Sequence, residues 1–374
     1  MTSPVIDRRT CLGALVAVAA SGPATLATTQ AADGVSPPSA APPAAAAPDA
    51  LDAGWSEAVC LVGDGEPVRR FASTVAGWQV GEPVRIDPSL AAFMGLPAAA
   101  AGAGRQWRIT DGTGRAGALR LIELPSLRAQ GGAESGSAAA EPPWCTGGIF
   151  SVMVRSNALR ERWLAARALG WDAVTAPVDL EFSGVAIANV ILRGPQGVNV
   201  SIYERLSPRM PDEPDLLKLR RPFNSMQVVA DLAGARRFYI DTLGFAVVGE
   251  GQFKWEPGKP NNFGVPPEVA RTAALDYLIA APRAGGPTQV EIVHFRGLPA
   301  RRRMPAGAAR PGVYALRMPV SRLDSVLARL SAAGWPVGDG ARQVVFDGQR
   351  PHRAVAIDSP EGARLEFFEV QRGA

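Results

Sequence analysis

The sequence predicts an α+β fold: four βαβββ modules paired into two curved eight-strand half-barrels with helices outside. Three observations predict it. One pattern of strand, amphipathic helix, Gly-aromatic turn and returning strands occurs four times. The spacing inside each copy is nearly constant. The length of the return alternates long, short, long, short, so the copies come as pairs.

The clearest copy is FNSMQVVADLAGARRFYIDTLGFAVVGEG; the others are EAVCLVGDGEPVRRFASTVAGWQVGEPV, IFSVMVRSNALRERWLAARALGWDAV and YALRMPVSRLDSVLARLSAAGWPVG. Each begins with apolar residues alternating at period two, the mark of a half-buried strand. Asp64, Ser156 and Asp231 follow, where a side-chain oxygen caps free helix N–H groups. Gly77, Gly170, Gly244 and Gly334 end the helices, where a positive φ is needed. From the strand-end valines (Val62, Val154, Val229, Val320) to these glycines the gaps are 15, 16, 15 and 14. The closing strands end at Glu123, Glu204, His294 and Glu369, which lie 46, 34, 50 and 35 residues beyond the glycines. Two paired domains follow, 55–206 and 222–371, joined by a Pro-bearing link. Glu123, Glu204 and Glu369 recur on the face opposite the cup, a structural position where Arg69, Arg160 and Arg236 on the helices can pair with them.

Before the modules, residues 1–32 read as an export signal. Arg8 and Arg9 precede a short apolar run that ends in small residues, a pattern resembling a twin-arginine leader. Residues 33–53 are a Pro/Ala-rich tether. A periplasmic or secreted protein is expected, with no membrane span once the leader is removed, since no later apolar run reaches about 18 residues. In such a compartment Cys60 and Cys145 either pair or remain two buried thiols.

Composition narrows the function. With 39 basic and 35 acidic residues the net charge is only +4, and no nucleic-acid surface is expected. Two histidines exclude a His-rich metal cluster, and three cysteines exclude a zinc ribbon. No phosphate loop, Ser/His/Asp arrangement or Cys nucleophile motif is visible.

V-x-D-L-x-x-A-x-x-F-Y-x-x-x-L-G-F (Val229 to Phe245), with the final D-x-P-x-G-x-x-L-E-F-F-E strand (Asp358 to Glu369), resembles the vicinal oxygen chelate superfamily. That group includes glyoxalase I, bleomycin-resistance proteins and extradiol dioxygenases. The resemblance implies a divalent metal in the cup, held by the first and last strands of the modules. The matching positions are Glu57, Ile149, Asn224 and Ala315 on first strands and Arg120, Ser201, Glu291 and Glu366 on last strands. The first domain, with Ile149 and Arg120 among these, is expected to be metal-free. In the second, Asn224, Glu291 and Glu366 would hold Mg²⁺, Mn²⁺ or Ca²⁺ if a metal is bound. The two-His, one-carboxylate face of an extradiol dioxygenase is not matched.

The second cup is therefore the expected site for a small-molecule ligand. Glu366 and Glu291 are the candidate general bases, with Glu366 alternatively paired to Arg317. His352 is a rim residue, either an acid–base group or solvated. Asn224, Met226, Val228, Tyr314 and Phe368 line the cup, a weakly held metal, or Asn224 and Arg317 together, faces an oxyanion, and Trp255 with Asn261, Asn262 and Phe263 forms a lid. Three functions stay open: a lyase or isomerase acting on a small oxygenated metabolite, a non-catalytic binder, or a structural module.

Overall fold

The computed structural model describes residues 54–128, 141–182, 185–209, 218–299 and 310–370. The export signal and the tether expected from the sequence lie outside the described residues.

The first module holds β1 (Glu57–Val62), β2 (Gln79–Val80), β3 (Val84–Arg85), β4 (Arg105–Thr110) and β5 (Ala118–Glu123). The second holds β6 (Ser151–Arg155), β7 (Asp172–Ala173), β8 (Val178–Phe182), β9 (Val185–Arg193) and β10 (Asn199–Ser207). The third holds β11 (Asn224–Val228), β12 (Ala246–Lys254), β13 (Ala274–Ala281) and β14 (Gln289–Arg296). The fourth holds β15 (Gly312–Val320), β16 (Arg342–Val345), β17 (Pro351–Asp358) and β18 (Arg364–Glu369). Two nine-stranded sheets result, so the α+β class and the two half-barrels stand as expected.

The partners within each sheet differ from the expectation. One sheet runs β16-β17-β18-β15-β1-β5-β4-β2 and joins the fourth module to the first. The other runs β12-β13-β14-β11-β6-β10-β9-β7 and joins the third to the second. The joints are antiparallel, β1 against β15 with Glu57 opposite Arg317, and β11 against β6 with Asn224 opposite Met153. Thus 55–206 and 222–371 do not each form a half-barrel; each half-barrel draws one module from each segment. The physical reason lies in the helices. Consecutive modules meet through them: Phe71 stacks on Trp171 with centroids 4.0 Å apart, and Phe238 meets Trp335 edge-on at 5.0 Å. Burying those aromatics sets the sheets back to back, with one core between them that includes Val62, Leu121, Val154 and Ile292.

The helix ends follow the local chemistry. Gly77, Gly170, Gly244 and Gly334 have φ between 69° and 82°. In the second and fourth modules the next aromatic, Trp171 or Trp335, donates its N–H five residues back, to Ala166 or Leu330. In the first and third, the helices finish in a π-helical stretch, Phe71–Ala76 and Arg237–Thr242. There Trp78 and Phe245 reach six residues back, to Ala72 and Tyr239.

The recurring closing-strand glutamates act at the helix starts. Glu123 accepts the Gly65 N–H at 2.9 Å, Glu204 that of Leu159 at 3.0 Å, and Glu369 that of Leu323 at 3.2 Å. These are carboxylates at helix N-termini, where free N–H groups and the helix dipole favour them. Arg69 also pairs with Glu123, as expected, but Arg160 pairs with Asp179 and Arg236 with Glu250. In the third module Asp231 caps its own helix through Gly234 N–H at 2.9 Å.

Candidate functional site

Each sheet has an inner face, and strand alternation decides what stands on it. In the cup of the first and fourth modules these are Glu57 and Val59 from β1, Arg120 from β5, Arg317 from β15 and Glu366 from β18. A bulge opposite Val59 and Cys60 adds a residue to β15, so adjacent Tyr314 and Ala315 both join this inner cluster.

Charges fill the floor of this cup. Arg120 grips Glu57 with two bonds, Nε to Oε2 at 3.0 Å and Nη2 to Oε1 at 2.7 Å. Arg317 donates to Glu366 at 2.7 Å and to Glu57 at 3.4 Å. Arg108 adds a bond to Glu57 at 3.1 Å, and Arg364 one to Glu366 at 3.1 Å. Burial alone would raise the Glu57 carboxyl; Arg120, Arg317 and Arg108 outweigh it and hold it at about 2. Arg317 also lies over the Phe346 ring at 4.4 Å, and its Nη2 has no hydrogen-bond partner among the described residues. The first module's short helices Pro88–Phe93 and Ala98–Ala103 cover the cup. Tyr314 Oη donates to Met94 O at 3.2 Å, Arg364 to Phe93 O at 2.7 Å, and Val345 N–H to Ser89 Oγ at 3.0 Å. His352 and Phe368 stand at its edge, with the His352 ring N–H donating to the Glu369 carbonyl at 3.1 Å.

The cup of the second and third modules is built of the opposite material. Its inner face carries Ser151 and Met153 from β6, Ser201 and Tyr203 from β10, Asn224, Met226 and Val228 from β11, and Gln289, Glu291, Val293 and Phe295 from β14. Trp255 stacks flat on Phe295 at 6.0 Å, and Phe263 meets the same ring edge-on at 5.1 Å. Both come from the insertion after β12, which covers the cup. Asn262 fastens that cover across to the second module, donating to Asn189 Oδ1 at 2.7 Å.

Glu291 is the one carboxylate on this inner face among the described residues. It is 6% exposed and receives the Asn224 amide N–H at 3.2 Å. Burial pushes its pKa up to about 7. Ser151 Oγ, Gln289 Oε1 and Trp255 Nε1, also buried here, have no hydrogen-bond partner among the described residues.

The structure therefore divides the expected site. Asn224, Met226, Val228, Trp255 and Glu291 lie in one cup; Glu366, Tyr314, Arg317, Phe368 and His352 lie in the other. Asn224, Glu291 and Glu366 do not converge. Sequence reading missed Ser151, Tyr203 and Gln289, because it grouped β11 and β14 with the fourth module instead of the second.

Neither cup suits the metal that the fold family implies. In the first-and-fourth cup both carboxylates are already held by guanidinium groups, and four arginines would repel a cation. In the other, Asn224 Oδ1 accepts its neighbour Ser225's N–H at 2.9 Å, so the amide turns a donor toward Glu291. One carboxylate and a donor are a poor set for a hard cation. Among the described residues no group of three His, Cys, Asp or Glu side chains is placed to hold a metal. Cys60 and Cys145 are buried and not joined in a disulfide, and burial raises the Cys60 thiol to about 12.

Comparison with known proteins agrees with this architecture. Residues 224–367 match the family model of the Glyoxalase/Bleomycin resistance protein/Dioxygenase superfamily. The fold of the chain is the one this superfamily shares. Glyoxalase I from Zea mays is similar at 12% identity and a TM-score of 0.54, covering 85% of this chain and 92% of that one. A putative dioxygenase from Bacillus subtilis is similar at 13% identity and a TM-score of 0.49, covering 86% of each chain. An antibiotic binding protein from Streptomyces has 20% identity and a TM-score of 0.26, covering 40% of this chain and 93% of that one. No curated protein sequence matches the chain.

Proposed function

We propose that the cup of the second and third modules receives a small, oxygenated, largely apolar molecule, and that Glu291 exchanges a proton with it. The observation that supports this is Glu291 itself: a buried carboxyl flanked by Met226 and Ile279 on the adjoining strands, with a neutral amide as its neighbour. Such a group is held near half-protonation at neutral pH, where it can both take and return a proton. The reaction class is isomerase- or lyase-like. The Glu291 carboxylate accepts a proton from a carbon beside a carbonyl, and the Asn224 amide steadies the carboxylate while it does so. Returning the proton to a different atom completes an isomerisation without any other reactant. Ser151, Gln289 and Trp255 offer the polar contacts that orient the ligand, and Met226, Val228 and Phe295 its apolar wall.

The test is a pair of measurements on the mature protein soaked in metabolite extract. Native mass spectrometry should show a retained small molecule, absent when Met226→Trp fills the cup. Wild type should convert that molecule, whereas Glu291→Gln should hold it and leave it unchanged. Equal conversion by Glu291→Gln would refute the proton-exchange role; retention unaffected by Met226→Trp would refute the cup as the site.

We also propose that residues 1–32 direct export and that the protein acts in the periplasm or outside the cell. Fractionation of wild type and an Arg8→Lys, Arg9→Lys variant tests this; export of the variant at the wild-type level would refute a twin-arginine route.

A further inference from the structure

Strand register in the cup of the second and third modules places two hydroxyl and carboxyl groups about one central row. Gln289, Asn224, Met153 and Ser201 stand opposite one another across β14, β11, β6 and β10. Glu291 is two residues to one side of this row, and its carboxylate reaches back to the Asn224 amide at 3.2 Å. Tyr203 is two residues to the other side, and its hydroxyl is hydrogen-bonded to that of Ser201. Both side chains thus lean on the row of Asn224 and Ser201. Those two residues are two strands apart, about 10 Å between backbones, with Met153 between them.

A chain of hydrogen bonds settles where the Tyr203 proton points. Asn262, on the cover, donates to Asn189 Oδ1 at 2.7 Å. Asn189 Nδ2 donates to the Ile202 carbonyl at 2.9 Å, an atom that can only accept, and to Ser201 Oγ at 3.1 Å. Ser201 accepts there, so its own proton serves the Tyr203 oxygen. Burial, helped by the Glu291 carboxylate, raises the Tyr203 phenol above its ordinary range; the Ser201 bond lowers it in part, as a donor to that oxygen does. Tyr203 therefore keeps its proton at neutral pH and has it to donate.

We propose that the Tyr203 hydroxyl is the second catalytic group of this cup: it donates to the ligand's carbonyl oxygen while Glu291 takes a proton from the neighbouring carbon. The inference rests on the proton-exchange reading of Glu291 and adds a substrate class, an enolisable ketone or aldehyde lying over Met153. The C–H bond breaks, its proton passes to a Glu291 oxygen, and its electron pair becomes a C=C bond. The carbonyl pair moves onto the oxygen, where the Tyr203 O–H holds the charge. Return of the proton from Glu291 to a different atom leaves both side chains as they began. Ser201, Asn189 and Asn262 are positioning residues, through which the cover orients the donor.

Equilibrium dialysis of the full mature chain tests this with para-nitrophenol at about pH 8, where the probe is an oxyanion on an apolar ring; uncharged nitrobenzene is the control. Glu291→Gln copies the neutral form that Glu291 has after taking a proton, and should bind para-nitrophenolate at least about tenfold more tightly than wild type. In that background Tyr203→Phe removes one hydroxyl and fills the same space. It should weaken para-nitrophenolate by about tenfold or more and leave nitrobenzene unchanged. Ser201→Ala and Asn262→Ala should weaken the phenolate by smaller factors, again without moving nitrobenzene. Para-nitrophenolate held equally with and without the Tyr203 hydroxyl would overturn the donor role and leave the Glu291 reading standing. Equal loss of both probes in Tyr203→Phe would mark the ring as packing and overturn the donor role too. Tyr203-dependent binding that ignores Glu291→Gln would overturn the placement of the two groups about one ligand. Neither probe retained by any variant would overturn the cup as a site, and this inference with it.

Discussion

The two cups stand on one scaffold and treat a buried carboxylate in opposite ways. Glu57 and Glu366 are surrounded by Arg120, Arg317, Arg108 and Arg364, and the cup is neutralised from within. Glu291 has, among the described residues, only an amide for a polar partner and Met226 and Ile279 beside it on the adjoining strands. The first arrangement closes a space with charge; the second leaves a group whose ionisation is unfavourable and therefore responsive. The difference teaches that position in this fold does not set the chemistry of the carboxylate, because equivalent last-strand glutamates receive opposite electrostatics from their neighbours.

The comparison breaks most sharply at Arg317. Arg317→Met leaves Glu57 and Glu366 buried with fewer partners, and unfolding free energy should fall by about 3–5 kcal/mol, measured by urea denaturation. Loss below 1 kcal/mol would mean the network is not the brace described.

Glu291→Gln should act in the other direction. The folded pKa of Glu291, about 7, is above the ordinary 4.5, so the folded state holds its proton more tightly than the unfolded chain. Stability from this group is complete below about pH 4.5 and lost as pH rises toward 7. Glu291→Gln should therefore stabilise the protein at pH 8 by about 3 kcal/mol relative to its effect at pH 4. Glu57, held low, does the reverse: its contribution is complete above pH 4.5 and lost as pH falls toward about 2. Stability profiles of Glu291→Gln and Glu57→Gln should thus slope in opposite directions against wild type; parallel slopes would erase the contrast between the cups.

A smaller effect is expected at the cover. Asn262→Ala removes the bond to Asn189 and should cost about 1 kcal/mol. Hydrogen exchange should quicken in residues 255–273 and stay unchanged in 88–103, the cover of the other cup. The smallest effect belongs to metal. Dialysis against a chelator should leave the melting temperature of wild type unmoved, since neither cup offers a fitting donor set; a fall of several degrees would reveal a site in the rest of the chain or a rearranged cup.

How much of this was legible in the sequence follows from what kind of physics sets each feature. The module repeat was legible because alternation, the capping oxygen of Asp231 and the positive φ of four glycines are local. Sheet partners were not. All four first strands are buried over most of their length, and nothing in β1 or β11 says which edge it will meet. That choice is made by Phe71 against Trp171 and Phe238 against Trp335, contacts between helices far apart in sequence. The expected site inherited the fault: Glu291 and Asn224 were correctly placed as neighbours, and Glu366 was added from the wrong sheet. The Arg317–Glu366 pairing was legible, since the two stand on adjacent parallel strands in register.

The pairing of the outermost modules has a consequence for cutting the chain. A nick in the link between β10 and β11 would yield two pieces, each with two unsatisfied sheet edges and no complete bowl. Each piece alone would expose the β1 or β15 edge and the β6 or β11 edge to whatever strand arrives, including its own twin. Mixed in equal amounts, the pieces should recombine like the subunits of a heterodimer, each lending half of both bowls. The continuous polypeptide is thus a two-subunit assembly in which covalent linkage, through one short connection, guarantees the stoichiometry.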